Sequence, residues 1–409
     1  MENYKIIFEI LVEVLNGQNL GEVIAKYKNH ENYPKIKNIS YNVIRYYYSL
    51  DFFTRKLLDR PNYKIDNILK VGFFEIWLSN KPVYAVINDL VNYTKENLNG
   101  LHGLVNAVLR KFDLEKKQLI EELNKDYKNL YNLPEWLITK IKQQYKNQAL
   151  DIFKSLMLNP SFGVRVNPLK ISQADYLKLL DSNNIQYNLI DNKLVLADAL
   201  NINQLPLFND GGVSIQDIAA QYLVDLLNKN NVSINNVLDA CAAPGGKTCQ
   251  LLENYKCKLN ALEINKPRLK RIEENLTRLK LSAKIIYGNA ENKKWWNSVK
   301  YDFILADVPC SAIGTIKRNP DIKITRQEED LLNFIATQRK ITINLWDMLV
   351  DGGYMVYSTC SILNEENEQN IDYFTTTLSN FKLIDIIKIL PTQNNDGLFY
   401  ALIKKEVIK

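Results

Sequence analysis

The hydrophobic period changes along this 409-residue chain, and that change limits its fold more than any other feature. Up to about residue 125, apolar residues recur at helical spacing. Ile6, Ile7, Ile10, Leu11, Val14 and Leu15 form one stripe, which Gly17 ends. Similar runs cover 39–58, 67–78, 84–98 and 101–112, with breaks at Pro61, Pro82 and Gly100. Residues 1–125 therefore read as an all-helical domain. Residues 126–210 read as a small α+β domain. A helix opens at Pro134, Trp136 and Leu137 and ends near Asn159–Pro160. A strand over 162–166, a short helix over 174–180 and a strand pair over 185–190 and 193–197 follow. From 211 to 409 strands alternate with helices. The strands fall at 236–240, 259–264, 283–287, 301–306 and 354–358, with two more at 381–386 and 398–403. Helices start at Thr248 and cover 266–279, 328–349 and 365–378, with Gly352–Gly353 as a break. This pattern predicts an α/β, Rossmann-like domain with a mostly parallel sheet covered on both faces.

Composition excludes whole classes. With 46% hydrophobic residues the chain can build real cores, so it is not a disordered protein. A net charge of +6 permits a nucleic-acid partner without requiring one. The five cysteines (241, 249, 257, 310 and 360) form no zinc pattern and no close C-x-x-C pair. No metal is therefore expected, and the odd number points to a reducing compartment. Glu9 and Glu13 interrupt the first apolar run, which is thus not a signal peptide. The apolar stretch at 71–78 contains Glu75 and is too short to span a bilayer. A soluble, cytoplasmic, monomeric protein with no membrane partner is expected.

The loop from Asp239 through Cys241, Ala242, Ala243, Pro244, Gly245, Gly246 and Lys247 to Thr248 follows a buried strand and opens a helix. Small residues let backbone N–H groups approach a ligand there, and the helix N-terminus favours negative charge. Gly246-Lys247-Thr248 imitates the end of a P-loop, but Cys241 stands where the first glycine should be. Glu263 discriminates between the readings. It lies at the end of the next strand, where a doubly wound sheet puts the acid that accepts hydrogen bonds from ribose hydroxyls. A nucleoside cofactor needs that acid and an NTPase does not. Asn289 follows the third strand and Asp307 the fourth, so four polar groups share one crevice.

Two cysteines stand out by placement. Cys310 follows the fourth strand within Asp307-Val-Pro-Cys-Ser311, and Cys360 the fifth within Ser358-Thr-Cys-Ser361. Cys249 and Cys257 read as packing residues. Histidine-assisted thiol catalysis is excluded in this domain, because His30 and His102 lie in the helical part. A free thiol is only a few per cent thiolate at pH 7, and Lys247 is the candidate cation to raise that fraction. Methylation at C5 of a pyrimidine needs thiols beside a nucleoside cofactor. C5 is a poor nucleophile until a thiolate adds at C6. An acid such as Asp307 can stabilise charge that develops on the base.

Asp239–Lys247 (D-A-C-A-A-P-G-G-K), Asp307–Ser311 (D-V-P-C-S) and Ser358–Ser361 (S-T-C-S) together resemble the RsmB/NOP family of RNA cytosine-C5 methyltransferases, which use S-adenosylmethionine. Gly212–Asp217 (G-V-S-I-Q-D) and Arg318–Lys323 (R-N-P-D-I-K) resemble two further motifs of that family, the second its substrate loop. Residues 81–91 and 103–112 resemble the NusB-like RNA-binding domain that one member carries. The resemblance implies a NusB-like all-α domain, a small α+β linker and a class I methyltransferase domain. It implies that Cys241–Lys247 wrap the methionine and sugar of the cofactor, that Glu263 holds the ribose and that Asn289 lies near the adenine. Glu263 and Asn289 stand where many relatives have aspartate. Asp307 is implied near cofactor and base, Cys360 as nucleophile and Cys310 in product release. DNA-modifying relatives instead attack with the Pro-Cys cysteine. The implied substrate is one cytosine of 16S ribosomal RNA, at position 967 in the usual rRNA numbering.

RNA binding needs cations for phosphates and aromatics for splayed bases. Lys26, Lys28, Lys35, Lys37, Arg45, Arg55 and Lys56, with Tyr27, Tyr33 and Tyr46–Tyr48, offer both in the first domain. Lys317, Arg318, Lys323 and Arg326 follow Cys310 and are expected to grip RNA at the site. The alternative of another class is a non-catalytic RNA-binding factor of the antitermination type, built on the helical domain alone.

Overall fold

The structure is a computed structural model and describes residues 2–198 and 200–407. The chain forms two compact units, Met1–Met157 with Ile316–Glu328, and Leu158–Thr315 with Glu329–Lys409. Among the described residues no helix is long and apolar enough to cross a membrane.

The first unit is helical, as the 3.6-residue period requires. Its main helices span Glu2–Leu15, Tyr33–Arg45, Tyr47–Leu57, Tyr63–Leu78, Val83–Asn97 and His102–Leu123. The run expected over 39–58 is thus two helices that meet at Tyr46. Phe53, Phe73 and Phe112 form the centre of the core, with ring centroids 4.6–6.1 Å apart. Gly72 lets neighbouring helices approach, because a Cβ there would lie 2.5 Å from Leu109 Cδ2.

Residues 316–328 belong to this unit, and they correct one expectation. Arg45 Nη1 donates to the Lys317 carbonyl at 2.8 Å, and Tyr48 Oη donates to the Lys323 carbonyl at 3.1 Å. Lys323 Nζ in turn donates to the Arg45 carbonyl. Asp321 Oδ2 accepts from Leu20 N and Asn19 Nδ2. Lys317, Lys323 and Arg45 are 0%, 2% and 4% exposed. Burial, with Arg45 adding to it, holds the Lys323 ammonium well below its ordinary value. As placed, these three cations are internal and not a phosphate-gripping surface. Arg318 and Arg326 are half-buried. The basic run resembles a solvated loop in sequence, but its carbonyls and ammonium complete hydrogen bonds of the helical unit.

The second unit holds two sheets. The smaller one contains β1 (Phe162–Val166), β2 (Tyr187–Ile190), β3 (Lys193–Leu196) and β4 (Val213–Ile215) in the antiparallel order β2-β3-β1-β4. β4 lies beyond residue 210, where the sequence suggested a boundary, yet it pairs with β1 through Val164↔Ile215. The larger sheet contains β5 (Asn236–Ala240), β6 (Lys258–Glu263), β7 (Lys284–Tyr287), β8 (Tyr301–Asp307), β9 (Leu349–Thr359), β10 (Phe381–Ile389) and β11 (Leu398–Lys405). Its order is β10-β11-β9-β8-β5-β6-β7. The five strands β5–β9 pair in parallel, and β11 runs antiparallel to β9 and β10.

The central strands are apolar on both faces because both faces are covered. Along β8, Phe303 and Leu305 enter one core, while Ile304 and Ala306 enter the other. Each large side chain buried this way stabilises the fold by roughly 1.5–3 kcal/mol. Gly352–Gly353 does not end β9. The register jumps there, from Tyr301↔Leu349 to Phe303↔Tyr354, and Gly352 takes φ of 82°. The glycines are a bulge within the strand.

Candidate active site

β5 lies between β6 and β8, so strand order reverses at β5. A doubly wound sheet opens its ligand crevice at that point, beyond the carboxyl ends of the strands. The loop after β5 carries the glycines. Cys241 (φ 64°) and Gly245 (φ 96°) both take left-handed backbone. A Cβ at Gly245 would also sit 3.3 Å from Ile272 Cα, so only glycine fits there without strain. The helix Gly246–Asn254 starts at once behind it. Glu263 ends β6 at 4% exposure, and its carboxylate accepts from Ala243 N at 3.3 Å and Asn265 N at 2.8 Å. It therefore ties the glycine loop to the next strand. Asn289 is half-buried; its Oδ1 accepts from Glu291 N and its carbonyl from Trp295 Nε1.

Asp239 is buried beneath this loop. Its Oδ2 accepts from Thr248 Oγ1, and its buried Oδ1 has no hydrogen-bond partner. Burial pushes its carboxyl from 3.8 up to about 7, against the Thr248 hydrogen bond and with the negative charge of Asp307 adding. The folded state thus holds this proton more tightly than the unfolded chain, and its stability should fall as pH rises from 3.8 to about 7. Asp239→Asn should flatten that fall, as read by urea unfolding at pH 4, 5.5 and 7. A variant whose profile keeps the wild-type slope would show that another group carries it.

Lys247 Nζ pairs with Asp307 Oδ2 at 2.8 Å, and Asp307 Oδ1 accepts from Ser358 Oγ at 3.0 Å. Burial would lower the Lys247 ammonium, but Asp307, Tyr400 and Cys360 together hold it above its ordinary value. The parallel register Asp307↔Ser358 then brings the two following loops together. Cys310 Sγ lies 3.4 Å from Cys360 Sγ. The Cys310 thiol is held well above its ordinary value, first by its hydrogen bond with Cys360 and next by burial. The carbonyl of Cys360 accepts from Gly314 N at 2.9 Å, and a Cβ on Gly314 would lie 2.7 Å from that oxygen. Cys249 is buried in the core, while Cys257 packs against it and is half-buried.

Two sets of residues escaped the sequence reading. Arg165 on β1 is 6% exposed and forms a bidentate pair with Glu253 at 2.8 Å through Nε and Nη2. Its Nη1 donates to Gln216 Oε1 and to the Gly246 carbonyl. One buried guanidinium thus anchors the start of the loop helix from a strand eighty residues away. The second set is Gln338, Glu366, Asn367 and Asn370, all buried at 0% behind the cysteine loops. Polar residues on an amphipathic helix or in a loop carry no periodic signal of burial.

Comparison with known proteins decides the family. Ribosomal RNA small subunit methyltransferase B from Pasteurella multocida is 34% identical over 98% of this chain and 95% of its own length. Its counterpart from Proteus mirabilis is 35% identical over 97% of each chain. The chain belongs to the RsmB/F family of 16S rRNA methyltransferases. The family model for 16S rRNA methyltransferase RsmB/F matches residues 224–404. NusB and RsmF/B-like ferredoxin-like domain models match 1–114 and 133–204. As in this family, an all-α NusB-like domain precedes a small α+β domain and a Rossmann-like methyltransferase domain. A methyltransferase homologue from Pyrococcus horikoshii shares the fold, with a TM-score of 0.60 and 24% identity over 68% of this chain and 98% of that one.

Proposed function

We propose that this family member methylates C5 of one cytosine in 16S rRNA, using S-adenosylmethionine and a transient bond between Cys360 and C6 of the base. The observation that carries this reading is the 3.4 Å pair of sulfurs at the ends of β8 and β9, on the same edge as the glycine loop. The left-handed backbone at Gly245, the buried and partly unpartnered Asp239 and the carboxylate of Glu263 fit a cationic, ribose-bearing cofactor. Residues 241–247 would hold its methionine and sugar, Glu263 the ribose and Asn289 the adenine. When bound, that cofactor supplies an electrophilic methyl group.

The side chains of this chain supply the rest. The Cys360 thiolate adds to C6, and the C5=C6 electron pair moves onto C5. The ammonium of Lys247 lies within electrostatic reach of that sulfur, and Cys310 Sγ is 3.4 Å from it. Asp307, oriented by Lys247 and Ser358, would lie beside the base. Once C5 carries the methyl, its proton leaves to a base. The C5–H pair restores the double bond, and the C6–S pair returns to Cys360. Cys310, adjacent to the departing sulfur, would pass its proton to that sulfur as the C6–S bond breaks and regain one from the base that took the C5 proton. The division into 1–125, 126–210 and 211–409 belongs to the same proposal, with RNA held by the NusB-like part and by Arg318 and Arg326.

The test is bisulfite sequencing of 16S rRNA after incubation with the full chain and S-adenosylmethionine. One cytosine should become resistant to conversion. Uniform conversion, with methyl groups found on another atom or none, would reject the reading.

A further inference from the structure

The two cysteines are each followed by serine, and the paired strands stack these dipeptides as matched rungs. Where Cys310 and Cys360 face each other at 3.4 Å, Ser311 Oγ and Ser361 Oγ face each other at 3.2 Å. Behind the serine rung lies Glu366. Its Oε1 accepts from Ser311 N at 2.8 Å and from Gln338 Nε2 at 2.9 Å, and its Oε2 accepts from Ser311 Oγ at 2.5 Å. Gln338 Nε2 also donates to the Pro309 carbonyl at 3.0 Å. The Pro309–Ser311 turn is thus gripped at three points by one carboxylate and one carboxamide.

The other cysteine has its own support. Thr359 Oγ1 donates to Asn367 Oδ1, and Asn367 Nδ2 donates to the Ser361 carbonyl at 3.0 Å. The backbone of Glu366 joins the two halves, since its carbonyl accepts from Tyr357 Oη at 2.6 Å on β9.

Glu366 is fully buried, and the donors on its carboxylate are neutral. A buried carboxylate without a cation is an expensive way to stabilise a fold, and apolar packing of the same volume would serve better. Its geometry suits a different task. Among the described residues its carboxylate accepts from Ser311, the residue after Cys310, and from Gln338, and from none of the glycine loop.

We propose that Glu366 is a positioning residue for the two-cysteine reaction, which through Ser311 holds the Cys310 thiol against Cys360 for the release step. This rests on the reading that Cys360 attacks and Cys310 serves release. Bond formation between Cys360 and C6 needs the Cys360 loop alone, so it proceeds without Glu366. Scission of that bond needs Cys310 in place, and it does not.

The test uses the full chain, 16S rRNA and S-adenosylmethionine, with Glu366→Gln, Ser311→Ala and Cys310→Ala compared by two readouts. One is methyl transfer, in a single turnover and at steady state. The other is the fraction of protein in a denaturant-resistant complex with RNA. Glutamine has the same shape, but where Oε2 accepts from Ser311 Oγ it would put an amide nitrogen that can only donate, so the strong hydroxyl-to-carboxylate hydrogen bond on Ser311 is lost. Glu366→Gln should keep the first methyl transfer within a few-fold and lose roughly 10- to 100-fold at steady state, the effect expected of a slight misplacement. The RNA complex should accumulate as it does in Cys310→Ala. Ser311→Ala should act in the same direction and more weakly, since the backbone donor survives. The double variant Cys310→Ala, Glu366→Gln should be no slower than Cys310→Ala alone.

Wild-type cycling by Glu366→Gln would overturn the inference. So would parallel loss of complex and turnover in a destabilised protein, a purely structural result. If Glu366→Gln fails to fold, Ser311→Ala decides by whether the complex builds up. Cys360→Ala separates the two levels. A complex that still forms without Cys360 would sink the reading beneath the inference, whereas a complex that requires Cys360 but ignores Glu366 would sink the inference alone.

Discussion

Cys360→Ala should abolish both methyl transfer and the RNA-linked complex, while Cys310→Ala should abolish turnover and leave the complex trapped. The asymmetry follows from the proposed roles of the two thiols. Both sulfurs stand at strand ends 3.4 Å apart, so distance alone does not assign their roles. The motifs do in the proposed reading, which gives attack to the cysteine of Ser358-Thr-Cys-Ser361 and release to that of Asp307-Val-Pro-Cys-Ser311. Cys310 is held protonated by its bond to Cys360 and by burial, and its negative neighbour Glu366 adds to the effect. Lys247 lies within electrostatic reach of Cys360. Loss of a covalent nucleophile costs roughly 10³-fold or more in turnover. Loss of Cys310 should cost a comparable factor at steady state for the opposite reason, because every enzyme molecule stops after one addition. Gel mobility of the protein under denaturing conditions, before and after nuclease treatment, reads the two outcomes directly. Loss of activity in Cys310→Ala without a trapped complex, combined with an active Cys360→Ala, would reverse the assignment.

The elements that position this site were legible in the sequence where one physical signal dominated. β5 and the helix Lys266–Leu279 begin and end where the pattern placed them, since a short apolar run after a turn and a sharply amphipathic charged stretch have no competing fold. The placement of residues 239–247, 263, 307, 310 and 360 on one edge was legible because strand ends in a parallel sheet converge there. Three features were hidden. Gly352–Gly353 looked like the break between a helix over 328–349 and a strand over 354–358 and is a bulge inside β9, because only partner register tells the two apart. Lys317 and Lys323 looked like solvated cations and are buried, because a lysine can satisfy its ammonium on a backbone carbonyl that sequence does not reveal. Arg165 and Glu366 gave no signal at all. Their importance lies in hydrogen bonds across 88 and 55 residues, which neither periodicity nor local motif encodes.

Arg165→Ala should cause the largest stability loss of any single substitution considered. It leaves Glu253, whose side chain is 0% exposed, as a buried carboxylate without its guanidinium. Breaking such a pair costs about 3–5 kcal/mol, against a total stability of order 5–15 kcal/mol for a domain. The melting temperature of the second unit should fall by about 6–20 °C, at about 2–4 °C per kcal/mol for a domain of 150–250 residues. A second effect is separable from the first. Nη1 also holds the Gly246 carbonyl and Gln216, at the first turn of the loop helix. The double variant Arg165→Met, Glu253→Met removes the orphaned charge and should recover most of the lost stability, as apolar replacement of buried pairs does elsewhere. It should not recover affinity for S-adenosylmethionine, because the Gly246 carbonyl then still lacks the hydrogen bond from Arg165 Nη1. Calorimetry gives both quantities on the same samples. If stability and affinity return together, Arg165 serves the fold alone. If stability returns while binding stays weak, the small sheet reaches into the cofactor loop through one side chain, which ties an otherwise peripheral element to the chemistry.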